Sequence, residues 1–252
     1  MKISFVIPAY NEENLIAKCL ESVQKEIKNN SEINSKIKFE VIVVNNASTD
    51  KTREIAAAFQ DVIIVDETKK GLVRARQAGY MASSGELIAN IDSDTILPSG
   101  WLQIVIYEFE KNKNLVALSG PFIYYDLSNI QRFFVQIFYY LGFIIYFINH
   151  FILGKGAMLQ GGNFILRRDA LEKADGFDTS IEFFGEDTDI ARRISPFGKV
   201  LWTFRLPIYA SGRRLLEDGL LKAGYQYAIN FLWISVFGKP HTKNYTDIRI
   251  NN

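Results

Sequence analysis

A chain of 252 residues, of which 48% are hydrophobic and 23% charged, can build one α/β domain with a modest appendage, and this composition excludes a wholly disordered protein. The formal net charge of +1 excludes a global field that would recruit nucleic acid, so we expect no nucleic-acid partner. The single cysteine, Cys19, excludes an intramolecular disulfide and a multi-cysteine zinc site.

Short runs rich in Val and Ile alternate with helical stretches through the first half of the chain. We predict strands at 3–7, 39–44, 62–65 and 87–91, and helices at 12–28, 50–59 and 72–82. This alternation predicts right-handed βαβ crossovers and a mainly parallel sheet flanked by helices. Ligands bind outside the carboxyl ends of such strands, so we expect 8–12, 45–48, the approach to Gly71, and 92–94 to meet at one crevice.

The second half holds a predicted strand at 115–119, a long apolar stretch, a Gly-Gly-Asn segment, a helix that opens on an acidic pair, and a strand at 199–202. We predict one domain over 1–210 made of two halves, 1–97 and 98–210, the second of which contains an apolar helical insertion at 127–154. An aromatic and basic helical tail follows over 211–252.

Asp92-Ser93-Asp94 directly follows an apolar strand. Mg²⁺ and Mn²⁺ take carboxylate oxygens and share phosphate oxygens of a substrate, so Asp92 and Asp94 could join a metal to a pyrophosphate. Such a pair is also common in ordinary solvated turns, so the motif alone does not decide between the two interpretations.

Glu186-Asp187 follows Gly185 and opens a predicted helix. Acidic residues in a first helical turn are favoured by the helix dipole, which gives a purely structural explanation. A carboxylate here could also accept the proton of an attacking hydroxyl.

Glycines and arginines complete the candidate site. Gly161-Gly162 allows close backbone approach to a ligand, and Asn163 offers both a donor and an acceptor, although a bulge would explain the glycines equally well. Guanidinium groups bind phosphate through two parallel hydrogen bonds. The candidate phosphate binders are Arg74, Arg76, Arg213 and Arg214.

The order of these motifs resembles the family 2 glycosyltransferases of the GT-A fold over roughly residues 1–205. The opening motif Val6-Ile7-Pro8-Ala9-Tyr10-Asn11-Glu12 is similar to the family's first strand and nucleotide loop, and Val43–Asp50 to its second-strand motif. Asp92-Ser93-Asp94 is similar to its metal motif. The segments at 161–163 and 185–187 are similar to its acceptor-side and base motifs.

The resemblance implies an inverting, single-displacement transfer from a nucleotide sugar, with Mn²⁺ or Mg²⁺ as cofactor. It makes 1–210 the catalytic domain, with 1–97 as its nucleotide-binding half and 98–210 as its acceptor-side half. It implies that Asp187 is the general base with Glu186 beside it in the acceptor site, that Asp94 is the principal metal ligand, and that Asp92 contacts ribose or metal. The implied donor site contains Pro8, Tyr10, Glu12, Asn45, Arg76, Asp92, Ser93 and Asp94, and the implied substrate contacts are Gly161, Gly162, Asn163, Arg213 and Arg214.

Asn45 departs from the resemblance, because many members carry an aspartate that accepts the N–H of uracil. An asparagine carbonyl can accept the same bond without charge assistance. We expect a UDP-sugar, with GDP- and dTDP-sugars as alternatives.

Residues 133–153 contain no Asp, Glu, Lys or Arg and are long enough to cross a bilayer. A crossing there would separate Asp92 and Asp94 from Asp187, so we expect this helix and the run 225–237 to lie on the membrane surface instead. A buried helix or an oligomer interface is the alternative. We expect a lipid-linked or glycan acceptor and, because no signal peptide is evident, a peripheral position on the cytoplasmic face of the membrane.

Two other functions fit parts of the pattern. A nucleotidyltransferase would need a Gly-rich, basic loop after the first strand, where Pro8-Ala9-Tyr10-Asn11-Glu12 stands. A non-catalytic sugar-nucleotide sensor or membrane scaffold would not need both acidic clusters.

Overall fold

The computed structural model describes residues 1–33, 36–152 and 158–242, which form an α/β structure around a seven-stranded sheet. The strands that follow one another in the chain are β1 Lys2–Ala9, β2 Lys38–Asn45, β3 Val62–Asp66, β4 Leu87–Ile91, β5 Thr95–Ile96, β6 Leu115–Ser119, β7 Phe122–Tyr124, β8 Asn163–Arg167, β9 Lys199–Trp202 and β10 Ile208–Ala210. The large sheet has the order β3-β2-β1-β4-β8-β6-β9, and within it only β8 runs antiparallel to its neighbours. The predicted mainly parallel sheet is therefore confirmed.

Helices cover both faces of this sheet. They are α1 Ile16–Ile33, α2 Thr52–Ala57, α3 Leu72–Ala82, α4 Trp101–Lys111, α5 Asn129–Ile152, α6 Arg168–Lys173, α7 Glu186–Ile194, α8 Arg213–Asp218 and α9 Leu220–Phe237. A short 3₁₀ helix spans Ser195–Phe197. The predicted first helix begins four residues late, because the Glu12 carbonyl accepts the N–H groups of Leu15 and Ile16 in a turn before α1 starts.

Alternate strand residues face opposite layers, as the two-residue period of a strand requires. Phe5 and Ile7 pack with α1 and α4 on one face, whereas Val6 packs with α3 and α7 on the other. Because the central strands are buried on both faces, their sequences are continuous apolar runs that end at polar residues.

A small sheet of order β5-β10-β7 lies beyond the end of β4. β10 pairs with β5 and thereby returns the chain to the metal-motif candidates, where the Ser211 N–H donates to the Asp94 carbonyl at 3.3 Å. The predicted tail thus starts at the carboxyl ends of the central strands.

Helix α5 packs one face on β9 and leaves the other in solvent. Tyr139 stacks on Trp202 with ring centroids 6.0 Å apart, and the Tyr146 hydroxyl donates to the Val200 carbonyl at 3.1 Å. The outward face exposes a row of large apolar side chains: Ile130, Phe133, Phe134, Ile137, Phe138, Tyr140, Leu141, Ile144 and Phe147. Over the part of the chain that the structure describes, no helix meets the length and hydropathy needed to cross a bilayer.

Candidate active site

The loops after β1 and β2 are fastened to each other at the carboxyl end of the sheet. The Asn11 N–H donates to Ser48 Oγ at 3.2 Å, and Asn11 Oδ1 accepts the Thr49 N–H at 2.9 Å. Asn11 and Ala47 both have positive φ, of 50° and 59°, which marks two tight reversals. Pro8 is the penultimate residue of β1, so this loop pair begins directly at the strand end.

Asn46 fastens the loop between β3 and α3. Its amide nitrogen donates to the carbonyls of Glu67 at 3.2 Å and Lys69 at 2.9 Å, and its amide oxygen accepts the Gly71 N–H at 2.8 Å. Lys70 from this loop lies over the Tyr10 ring, with its Nζ 3.9 Å from the ring centroid. Tyr10, which is expected to contact the nucleotide, is thus in contact with the loop that Asn46 holds in place.

Arg76 connects the two acidic clusters. Its Nη2 donates to Asp92 Oδ1 at 3.0 Å, and its Nη1 forms a short ion pair with Glu186 Oε1. Arg76 is 1% exposed and Glu186 is 5% exposed, so this pair is removed from water. The end of β4 and the start of α7, 94 positions apart in the sequence from Asp92 to Glu186, therefore meet at one guanidinium group.

Arg213 makes a second bridge, from the tail to the metal-motif candidates. Its Nη2 donates to Asp94 Oδ2 at 3.1 Å and forms a short ion pair with Glu12. Asp126, between β7 and α5, accepts the Ser211 hydroxyl at 2.7 Å and the Gly212 N–H at 2.6 Å, and so holds the turn that precedes Arg213. Ser93, between the two aspartates, is buried.

Asp187 lies at the start of α7 and faces the Gly-Gly segment. The Gly161 N–H donates to its Oδ2 at 2.9 Å, and its own neighbour Thr188 donates a backbone N–H to Oδ1 at 2.7 Å. Burial raises the pKa of Asp187 against these two hydrogen bonds, and burial raises the pKa of Glu186 to about 8 although Arg76 opposes this. A raised pKa in a carboxyl that two backbone N–H groups orient suits a group that takes up a proton.

Two glycines are required by this packing. Gly162 has φ +79°, and a Cβ there would lie 2.1 Å from Asp92 Oδ2. Gly185 also has φ +79°, and a Cβ there would lie 1.9 Å from Ile234 Cδ1 of α9. The backbone at these points approaches the acidic residue on one side and the tail helix on the other, and both positions exclude a side chain.

Asn163 has protein partners for its side-chain amide. Its side chain is fully buried, donates to the carbonyls of Gly120 and Leu206 at 2.9 Å each, and accepts the Trp101 indole N–H at 3.2 Å. The amide therefore connects β8 to the residues after β6 and β9 and to α4, and both of its hydrogens are used within the protein. The predicted substrate contact stays a prediction. Arg214 lies over the Phe183 ring at 4.6 Å and 3.8 Å from Asp218, on the tail side of the site.

The two strand-end aspartates suit a divalent cation shared with a substrate. Among the described residues no group of three or more His, Cys, Asp or Glu side chains could enclose a metal. Mg²⁺ and Mn²⁺ are commonly held by one or two carboxylates together with substrate phosphates, so a complete protein cage is not needed. Asp92 forms an ion pair with Arg76, and Asp94 forms one with Arg213. The two carboxylates therefore make this part of the site favourable for positive charge.

Comparison with protein families identifies this arrangement. The model described as Glycosyl transferase family 2 matches residues 4–174, which is more than half of the chain and runs from within β1 to the end of α6. The chain belongs to glycosyl transferase family 2.

Curated members of the family resemble parts of the chain. It is 37% identical over 106 residues to the glycosyltransferase AglE of Haloferax volcanii, a match that covers 40% of this chain and 33% of AglE. It is 28% identical over 143 residues to the dolichyl-phosphate beta-glucosyltransferase ALG5D of Trichomonas vaginalis, covering 53% of this chain and 44% of that protein. The chain thus spans less than half the length of each of these relatives.

Solved structures show the fold. The glucosyl-3-phosphoglycerate synthase of Mycobacterium tuberculosis, in complex with Mn²⁺, UDP-glucose and phosphoglyceric acid, superposes with a TM-score of 0.61 at 19% identity. The alignment covers 96% of this chain and 81% of that one. The family 2 chain therefore has the GT-A fold that its motifs predict.

Two polar residues of the site, Asp66 and Asp126, were missed by sequence reasoning, and Asn46 was expected only as part of the 45–48 loop. Each of the three orients another part of the site through side-chain hydrogen bonds. Asp66 could have been found, because it ends a parallel strand and such ends meet at the crevice. Asp126 had no local signal, since its partners lie 85 and 86 residues further along the chain.

Proposed function

We propose that this chain is an inverting, metal-dependent glycosyltransferase that moves a sugar from a nucleoside diphosphate sugar to an oxygen of a lipid-linked or glycan acceptor. The observation that supports this most strongly is the meeting of Asp92, Glu186 and Asp187 around Arg76 and the Gly-Gly segment, because the residue proposed to serve the diphosphate and the proposed proton acceptor then lie side by side. The Mn²⁺ and UDP-glucose of the Mycobacterium tuberculosis structure support the same class of donor.

In this proposal the acceptor oxygen attacks the anomeric carbon, the bond from that carbon to the diphosphate oxygen breaks, and the nucleoside diphosphate leaves. Asp187 Oδ2, oriented by the Gly161 N–H, takes the proton of a hydroxyl acceptor. Arg76 and Arg213 neutralise the acidic residues and lie where phosphate charge would be placed. Mn²⁺ or Mg²⁺ held by Asp94 and Asp92 would supply further positive charge to the leaving diphosphate.

Asp187→Asn tests the proposed base. The amide keeps the shape and the acceptor oxygen for Gly161 but cannot take up a proton, so transfer should fall by about a hundredfold or more while UDP–Mn²⁺ affinity, measured by calorimetry, changes little. Asp169→Asn is the matched control, because Asp169 lies on α6 with 66% of its side chain exposed. Full turnover in purified Asp187→Asn would refute the assignment.

The acceptor part of the proposal rests on the exposed face of α5. The exposed side chains of α5 from Ile130 to Phe147 form an apolar surface together with Leu221 and Tyr225 of α9. Helix α9 belongs to the same tail that carries Arg213. Aromatic side chains of this kind favour the headgroup region of a membrane. Among the relatives, ALG5D is named as acting on dolichyl phosphate, which supports a lipid-linked acceptor.

Flotation with phosphatidylglycerol vesicles tests the membrane surface. Wild-type protein should float, and a variant with Phe133→Ser, Phe134→Ser and Leu141→Ser should remain in solution. Ile63→Ser is the control, because Ile63 is 46% exposed on the edge strand β3, away from α5. Wild-type protein that stays with the soluble fraction would contradict the membrane proposal and leave the glycosyltransferase proposal standing.

A further inference from the structure

The Asn45 side chain, at the carboxyl end of β2, is oriented by Asp66 at the end of β3. Asn45 Nδ2 donates to Asp66 Oδ1 at 2.8 Å, and Asn45 Oδ1 is 3.4 Å from the Ser48 backbone nitrogen that points to it. The two strands pair in parallel with Asn45 opposite Asp66, so the contact follows directly from the sheet register.

The chemistry of Asp66 permits only one orientation of the amide. The Arg53 guanidinium contacts both carboxylate oxygens, with Nε 3.0 Å from Oδ1 and Nη2 3.1 Å from Oδ2. Hydrogen bonds from Arg53 and then from Asn45 lower the pKa of Asp66. An ionised carboxylate can only accept hydrogen bonds, so the Asn45 NH₂ group must face Asp66 and the amide oxygen must face away from it.

We propose that Asp66 is a positioning residue that fixes the Asn45 amide oxygen as the acceptor of the nucleotide-base subsite, and that this selects bases with a ring N–H. Uracil and thymine at N3 and guanine at N1 offer that donor, whereas cytosine at N3 and adenine at N1 present a lone pair. This inference rests on the proposed function and on the donor site that the family resemblance implies, which includes Asn45.

An asparagine at this position needs such a partner, and an aspartate does not. A free amide can turn over and present either its oxygen or its NH₂ group, so it would accept both classes of base. With the oxygen held in place, a base that presents a lone pair leaves two acceptors facing each other without a proton. The free-energy penalty against the wrong base is therefore set by Asp66, which orients the Asn45 amide but does not itself make the proposed contact with the base.

The Asp66–Arg53 pair has a simpler explanation, as a surface ion pair that contributes little to stability. Asp66 is 46% exposed and Arg53 is 50% exposed, and exposed pairs of this kind are weak. The two explanations differ in what each partner does. Removal of Arg53 ends the ion pair but leaves a carboxylate facing the amide, whereas removal of Asp66 ends both.

Calorimetric titration of the full chain in Mn²⁺ with UDP, GDP, CDP and ADP tests the inference. Wild-type protein should bind UDP or GDP at least about tenfold more tightly than CDP and ADP. Asp66→Ala should reduce that ratio by about fivefold or more, through weaker binding of the preferred nucleotide and stronger binding of CDP. Arg53→Ala should keep the wild-type ratio.

A double variant that exchanges the amide at position 45 with the carboxylate at position 66 provides a second test of the inference. In Asn45→Asp with Asp66→Asn, the carboxylate at 45 can only accept, so the preference of the wild type should return. Unchanged selectivity in Asp66→Ala, an equal loss in Arg53→Ala, or wild-type binding of CDP as tight as that of UDP and GDP would each overturn the inference. Failure of every nucleotide to bind wild-type protein would instead refute the proposed function.

Discussion

Replacement of Arg76 by Met should test the central ion pair of the site. Met keeps an unbranched apolar stem near the Phe164 ring, which lies 5.0 Å from the guanidinium carbon, but removes the charge. Glu186 then remains buried without its cation, whereas the Asp92 side chain is 31% exposed and can be solvated. Loss of one partner from a buried pair costs about 3–5 kcal/mol when the remaining group is charged. We expect the loss to approach that size above about pH 8, where Glu186 is ionised in the wild type.

Urea unfolding, followed by tryptophan fluorescence, measures this loss in Arg76→Met, Glu186→Gln and the double variant. The double variant should lose about 1–3 kcal/mol less than the sum of the two single losses, and this difference is the coupling between the two sites. Arg205→Met, on a side chain that is 68% exposed, should change stability by no more than about 0.5 kcal/mol.

The deficit of Arg76→Met should also shrink as the pH falls to about 8. A carboxyl whose folded pKa lies above its unfolded value contributes stability below the unfolded pKa and loses it as the pH rises through the folded pKa. For Glu186 these values are 4.5 and about 8. Arg76 lowers the pKa of Glu186, so in Arg76→Met the loss continues to a higher pH and the stabilities of the two proteins diverge above about pH 8. Stability losses that simply add in the double variant, or a deficit below about 1 kcal/mol at pH 9, would refute the reasoning.

Three further outcomes are expected. Because burial raises the pKa of Asp187 and the base must be ionised, the acid limb of the kcat–pH profile should lie above the ordinary aspartate range, and an acid limb near pH 3.8 would contradict this. Gly162→Ala should raise KM for the donor–Mn²⁺ complex about tenfold or more by displacing Asp92, whereas Gly142→Ala, where a Cβ meets nothing within 4 Å, should not. Arg213→Ala should weaken UDP–Mn²⁺ binding but strengthen binding of Mn²⁺ alone, measured by calorimetry, because a competing cation is gone; weaker binding of both would contradict this.

The positions of the strand ends could be predicted because their physics is local. A continuous apolar run that stops at a polar residue marks a strand buried on both faces, and parallel strands bring these stops to one edge. This reasoning placed Asn45 and Asp92 at the same crevice, and the structure confirms the strands that carry them. The catalytic and ligand roles of the site residues stay predictions, tested by the experiments above.

The parts that sequence could not supply depend on where side chains point after folding. Asn163 follows two glycines and has the donor and acceptor of a substrate-binding residue, yet its amide joins three core elements. Asp126 and Arg76 act on partners distant in the chain, so no local spacing indicates their contacts. Asn163 and Arg76 are buried, so their polar groups face protein partners, whereas Asp126 is exposed and its contacts depend on where the chain returns after β10.

The junction near residue 210, where the predicted catalytic domain meets its tail, is a poor place to cut the chain. A fragment ending at Ala210 would keep all ten described strands but would lose Arg213 and the turn clasped by Asp126. It would also uncover the Gly185 turn that Ile234 fills, directly before Glu186. A shorter expression fragment would keep every residue of the sheet but lose the side chains that the tail places against Asp94 and the Gly185 turn. Correct folding of such a fragment would therefore not by itself indicate an intact active site.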